Sequence, residues 1–157
     1  MAGPLASLAR VVSGGQTGAD RAALDWALRH GVEYGGWCPR GGIGEDGPGL
    51  LGVYPALRET PTEDPDVRTA WNVRDSDATL VLVLPGTRPT GGSALTVREA
   101  QRLGRPHLVA ATDARAEVAA WLAGLPAGTV LNVAGPRESA APGIWAAVTA
   151  LLESLSP

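Results

Sequence analysis

Residues 79–84 read Thr79-Leu80-Val81-Leu82-Val83-Leu84 and run directly into Pro85 and Gly86. A strand that is wet on one face alternates apolar with polar residues, whereas one covered on both faces is continuously apolar. The run therefore predicts a strand at the centre of a parallel sheet, with helices above and below it. A β-branched stretch bounded by turn residues lies on either side of it in the chain. Leu8 to Ser13 reads as the first strand, Val32 to Cys38 as the second, Pro106 to Ala111 and Thr129 to Ala134 as the last two. Helical patterns fill the intervals: Thr17–His30, Pro65–Ser76, Gly92–Leu103, Asp113–Leu125 and Pro142–Leu155. In the last of these Ile144, Val148, Leu151, Leu152 and Leu155 share one face. Strands alternating with helices predict an α/β fold, with an open, doubly wound, mostly parallel sheet. The 157 residues make one domain, with residues 1–7 expected as a flexible N-terminal extension.

Composition narrows the partners. The net charge is −3, and all 13 basic residues are arginines, scattered singly among acids. That excludes the basic patch of a nucleic-acid binder. It leaves small anions eligible, because one or two arginines and a few backbone amides suffice for a phosphate. Without lysine no Gly-Lys-Ser/Thr phosphate loop exists. No apolar run approaches the ~18 residues of a membrane span. Met1 to Arg10 lacks the build of a signal peptide, and Cys38 is the only cysteine, so a cytoplasmic protein without disulfides is expected. Cys38, His30 and His107 have no partners in the sequence that would make a metal site, and each reads as structural.

Ligands of open α/β sheets bind beyond the carboxyl ends of the strands, where loops enter helices. Three loops in that position share one chemistry. In Ser13-Gly14-Gly15-Gln16-Thr17-Gly18-Ala19-Asp20 paired glycines permit close backbone approach, and Thr17 with Asp20 has the spacing of a helix cap. Thr90-Gly91-Gly92-Ser93 repeats the paired glycines and hydroxyl before a helix. After the last strand, Asn132 to Ser139 offers Gly135, the anion clamp Arg137, and the hydrogen-bonding side chains of Asn132, Glu138 and Ser139. The long loop from Pro39 to Pro65 adds Arg40, Glu45 and Asp46, whose acids read equally well as solvated surface. Arg68, Asn72 and Asp75 share a helix face that reads as solvated. In Thr17–His30 the polar stripe Arg21, Asp25, Arg29 is narrow, so surplus apolar surface predicts a subunit contact.

Taken in order, SGGQTGADRAALDWA (13–27), GGWCPRG (35–41), EDGP (45–48), WNVRDSDATL (71–80), TGGSALT (90–96) and LNVAGPRES (131–139) resemble the molybdenum cofactor carrier proteins. The resemblance implies a Rossmann-like sheet and a homo-oligomer, dimer or tetramer. It also implies a carrier role for the molybdenum cofactor (molybdopterin, a phosphorylated pterin), with molybdoenzymes as recipients. Gly14, Gly15, Gln16, Thr17, Gly91, Gly92 and Ser93 would then cradle the phosphate, with Thr90 also in the site, and Arg40 and Arg137 would supply charge. Asn132, Glu138 and Ser139 would shape the pterin side, with Gly135 in the same cofactor-binding loop. The same fold group resembles enzymes that release cytokinin bases from nucleoside monophosphates, with the signature Pro-Gly-Gly-x-Gly-Thr-x-x-Glu. Here Ala94 replaces its last glycine and Thr96 comes one position late. The alternative function is thus a nucleotide hydrolase using Glu99 or Glu138 as its acid.

Overall fold

The computed structural model describes residues 2–156. Five strands form one sheet, all neighbours parallel: β1 (Arg10–Val12), β2 (Tyr34–Gly35), β5 (Ala78–Val83), β6 (His107–Ala111) and β7 (Val130–Ala134). Their order is β2-β1-β7-β5-β6. The fold is the expected α/β, Rossmann-like one. One detail differs: β5 is interior and all six of its residues are buried, yet the middle place belongs to β7. Burial on both faces needs a neighbour on each side and helices above and below, and any interior strand has these. The expected second strand is also split. It breaks at Gly36 into β2 and β3 (Trp37–Cys38), and β3 pairs with β4 (Arg58–Glu59) in a separate two-stranded sheet. At Gly36, φ is +130° and a Cβ would run into the Ser13 carbonyl, so the backbone itself packs there.

The helices divide between the two faces, and the faces differ in chemistry. Leu80 and Leu82 of β5 and Leu131 and Val133 of β7 point to the side covered by α1 (Ala19–His30), α5 (Arg115–Ala123) and α6 (Ile144–Leu155). Ala22, Ala23, Trp26, Val118, Leu122, Ile144, Val148 and Leu152 complete that core. Truncating any of its leucines to alanine costs about 2–5 kcal/mol. Strand alternation sends Thr79 and Asn132 to the opposite face. There α3 (Pro65–Arg74) and α4 (Gly91–Leu103) pack on each other. This second face is rich in buried polar side chains: Thr79, Asn132, Arg68, Asn72, Ser93 and Thr96. Asn132 Nδ2 lies 3.4 Å from Thr79 Oγ1 across the two strands.

The segment from Pro39 to Pro65 holds the short α2 (Leu50–Val53) and β4. It carries a core of its own in which Leu50, Tyr54 and Leu57 cover Cys38 and Leu24 of α1. That core overturns the argument for a subunit contact on α1. Leu24, Trp26 and the alanines are buried within this chain, and only Leu28, at 47% exposure, keeps a large apolar surface free. At the N-terminus Leu5 is buried in the main core, and the Ser7 carbonyl accepts from the Gly128 amide at 2.8 Å.

Candidate functional site

Because β1 leads through α1 to β2 on one side, and β5 leads through α4 to β6 on the other, the loops after β1 and β5 diverge. The chain opens between them at the carboxyl ends of β1, β7 and β5, which is where ligands of such sheets bind. A cleft of about 270 Å³ lies there, on the polar side of the sheet. Nine residues expected from the sequence line it: Gly14 and Gln16 after β1; Thr90, Gly91, Gly92 and Ser93 at the start of α4; Asn132, Gly135 and Arg137 on β7 and its loop.

The start of α4 is left open. Thr90 is its N-cap but makes no side-chain cap bond. Its carbonyl takes the Ser93 and Ala94 amides, while the Gly91 and Gly92 amides have no acceptor among the described residues. A Cβ on either glycine would meet nothing within 4 Å, and both residues line the cleft. Ser93 is buried, and its hydroxyl makes no hydrogen bond among the described residues. A helix start carries unsatisfied donors and a partial positive charge, so this end of the cleft favours an anion.

The start of α1 is built differently. The expected Thr17–Asp20 cap does not form. Gly18 is the N-cap at φ +81°, and the Asp20 carboxylate instead accepts the Gln16 amide at 3.3 Å. The Thr17 amide bonds the Gln16 side chain at 3.0 Å, and the Ala19 amide bonds the Pro136 carbonyl at 3.2 Å. A Cβ at Gly18 would overlap the main chain of residues 136–138, so this turn is pressed against the loop after β7. Gly135 is equally tight, since a Cβ there would lie 2.6 Å from the Ala19 Cβ.

Five expected residues stand outside the cleft lining. Gly15 packs against Leu50 and Leu57. Arg40 reaches the Pro61 carbonyl at 3.4 Å. The Thr17 hydroxyl donates to Glu45 at 2.7 Å, and the Ser139 hydroxyl donates to the same carboxylate at 2.6 Å. Glu138 accepts the Gly143 and Trp145 amides at 2.6 and 3.0 Å and so stabilises the start of α6. Glu99, the other acid named for hydrolysis, is paired with Arg102 at 2.7 Å on α4.

Arg68, Asn72 and Asp20 line the cleft although the sequence reading placed the first two on a solvated face and gave Asp20 only a capping role. Arg68 is 7% exposed and donates from Nη1 to the Gly14 carbonyl at 2.9 Å, holding the first glycine turn. Asn72 accepts the Trp37 amide at 2.7 Å and donates to the Trp37 carbonyl at 3.0 Å. The signal for both was present: α3 lacks an apolar stripe, yet a crossover helix has to cover the sheet with something. Burial raises the pKa of Asp20 to about 6 against the opposing pull of the Arg68 guanidinium and the Gln16 amide. Cys38 is outside the cleft, and burial pushes its thiol up. No group of three or more His, Cys, Asp or Glu placed to hold a metal occurs among the described residues.

The model of the circularly permutated YpsA SLOG family matches residues 11–156, from within β1 to just past α6. The chain belongs to that family. The crystal structure of a "Putative molybdenum carrier protein" from Syntrophus aciditrophicus SB is similar to this SLOG-family chain throughout. The two are 41% identical, with a TM-score of 0.87 over 95% of each chain. Among curated proteins none matches this chain. The motif resemblance to the molybdenum carriers is thus borne out at the level of family and fold. No helix of this SLOG-family protein is long and apolar enough to cross a membrane.

Proposed function

We propose that this protein binds and carries a phosphorylated heterocycle, the molybdenum cofactor or a close chemical relative, in the cleft between the loops after β1, β7 and β5. One observation carries the reading. The uncapped start of α4 presents the free Gly91 and Gly92 amides, with the Ser93 hydroxyl beside them, to the cleft. That is the donor set a phosphate takes. Arg68 and Arg137 add positive charge, and Asn132 offers hydrogen bonds deeper in the cleft. The lining supplies contacts for a phosphate and a polar ring, and a metal would travel as part of the cargo. The name of the Syntrophus protein supports the carrier reading, and the resemblance adds a homo-oligomer and molybdoenzyme recipients to it. The hydrolase reading loses its two named acids, since Glu99 and Glu138 are bonded elsewhere.

Native mass spectrometry of the purified protein tests this reading, together with titration calorimetry using inorganic phosphate and nucleoside monophosphates. The expected result is a bound phosphorylated species that inorganic phosphate displaces. Wild-type protein that binds none of these at millimolar concentration, or that turns nucleotides over repeatedly, overturns it.

A further inference from the structure

We propose that Asp20 selects the cargo: its carboxylate pairs with a heterocycle edge that presents two adjacent donors, a ring N–H beside an exocyclic amine. The inference rests on the phosphate reading above and adds the other end of the ligand.

Asp20 is 8% exposed and lies on the cleft wall. A buried carboxylate is stable only when charge-assisted hydrogen bonds replace its lost hydration. Here that demand is met only in part. The backbone amides of Gln16, at 3.3 Å, and of Gly14 support the Asp20 carboxylate, and no side-chain hydrogen bond reaches it among the described residues. The cations near it act on it through charge alone and give their hydrogen bonds to other groups. Arg68 bonds the Gly14 carbonyl and the Thr69 hydroxyl, and Arg21 bonds the Gly15 carbonyl and both oxygens of Asp46. The backbone that carries the carboxyl is held in place, because Asp20 sits in the first turn of α1 and the Ser13 hydroxyl bonds its main-chain carbonyl at 2.9 Å. It is a buried acceptor on the wall of the cleft.

Sheet order sets the distance between the two ends. The loops after β1 and β5 are separated by β7, hence by two strand spacings, about 10 Å. A phosphate on α4 therefore stays clear of Asp20, while a ring joined to it through a short linker spans the gap. The ring edge meeting a carboxylate has to donate twice to use both oxygens. Guanine, with N1–H beside its 2-amine, and a pterin, with N3–H beside its 2-amine, both do so. Hypoxanthine offers the ring N–H alone, and adenine sets a donor beside an acceptor.

The test is calorimetric titration of the full-length protein with GMP, IMP, AMP and inorganic phosphate, for wild type and Asp20→Asn. GMP is expected to bind wild type about tenfold or more tighter than AMP, with IMP between them. Asp20→Asn should remove most of that preference and leave inorganic phosphate within about twofold, since the α4 end is untouched. Equal affinity of wild type for GMP and AMP overturns the proposal without involving any variant. So does an equal loss of all four ligands in Asp20→Asn. In either case wild type that binds inorganic phosphate leaves the phosphate reading standing, whereas wild type that binds neither phosphate nor any nucleotide removes both.

Discussion

The Glu45 carboxylate accepts the Ser139 hydroxyl at 2.6 Å and the Ser139 amide at 3.2 Å, tying the long loop after β3 to the loop after β7. The Thr17 hydroxyl bonds the same carboxylate, and Arg137 Nε lies 3.4 Å from it. Asp46 grips Arg21 next to it, at 2.6 Å to Nη2. Thr17 and Arg137, expected to hold a phosphate, and Ser139, expected on the pterin side, therefore meet an anion of the chain itself. These hydrogen bonds keep the Glu45 carboxyl below its usual range, so it is ionised at neutral pH.

Replacing Glu45 with alanine should release the turn at residues 43–47 while leaving the main core intact. Each exposed bond is worth about 1 kcal/mol or less, so global unfolding by urea should shift only slightly. Local opening should change more. Tryptic cleavage after Arg40 and hydrogen exchange of the Gly44 and Gly47 amides, which bond each other's carbonyls, should quicken several-fold. Unchanged exchange at those amides would show that Glu45 does not hold the turn.

Gly92 allows a clean separation of binding from folding. It is not among the glycines with positive φ, and a Cβ there meets nothing within 4 Å. Gly92→Val should therefore keep stability within about 0.5 kcal/mol of wild type. The added side chain sits on a residue that lines the cleft, and phosphate affinity should fall by about 1–3 kcal/mol, roughly tenfold or more. The check is chemical denaturation alongside calorimetry. A variant as stable as wild type that binds phosphate equally well would move the anion away from α4.

Asp20 should make stability depend on pH in an unusual direction. Its folded pKa is about 6, above the ordinary 3.8. Between those values the folded state holds more protons than the unfolded chain, so stability falls as pH rises from about 4 to about 6 and stays reduced above. Glu45, Asp46 and Asp75 are shifted down, and their contribution runs the other way, present above the ordinary carboxylate range and lost as pH falls. Asp20→Asn removes the buried charge and keeps an acceptor for the Gln16 amide. It should stabilise the protein at pH 8 by about 1–3 kcal/mol, a gain that shrinks towards pH 4. Urea titrations at pH 8, 6 and 4.5 decide this, and an Asn variant less stable than wild type at pH 8 would contradict a desolvated carboxylate.

Much of this protein is determined by local sequence. The unbroken Leu-Val run of β5 can only sit between two neighbours and two helical layers, and paired glycines after β1 and β5 mark loops at the carboxyl ends of strands. The motifs from Ser13 to Ser139 carry the family, because they follow in order along nearly the whole chain. Tertiary structure alone decided the rest. Strand order put β7, not β5, in the middle, since an interior strand looks the same in sequence wherever it lies between the edges. The face on which Arg68 and Asn72 sit is visible as helical spacing, but spacing does not say whether that face meets water or the sheet. The apolar surplus of α1 had the same ambiguity, which Leu50, Tyr54 and Leu57 resolved by folding over Leu24 within one chain. Glu45 was legible only as an acid in a loop. Its partners Thr17 and Ser139 are 28 and 94 residues away, and contacts at such separations depend on how the strands are ordered, which no local pattern records.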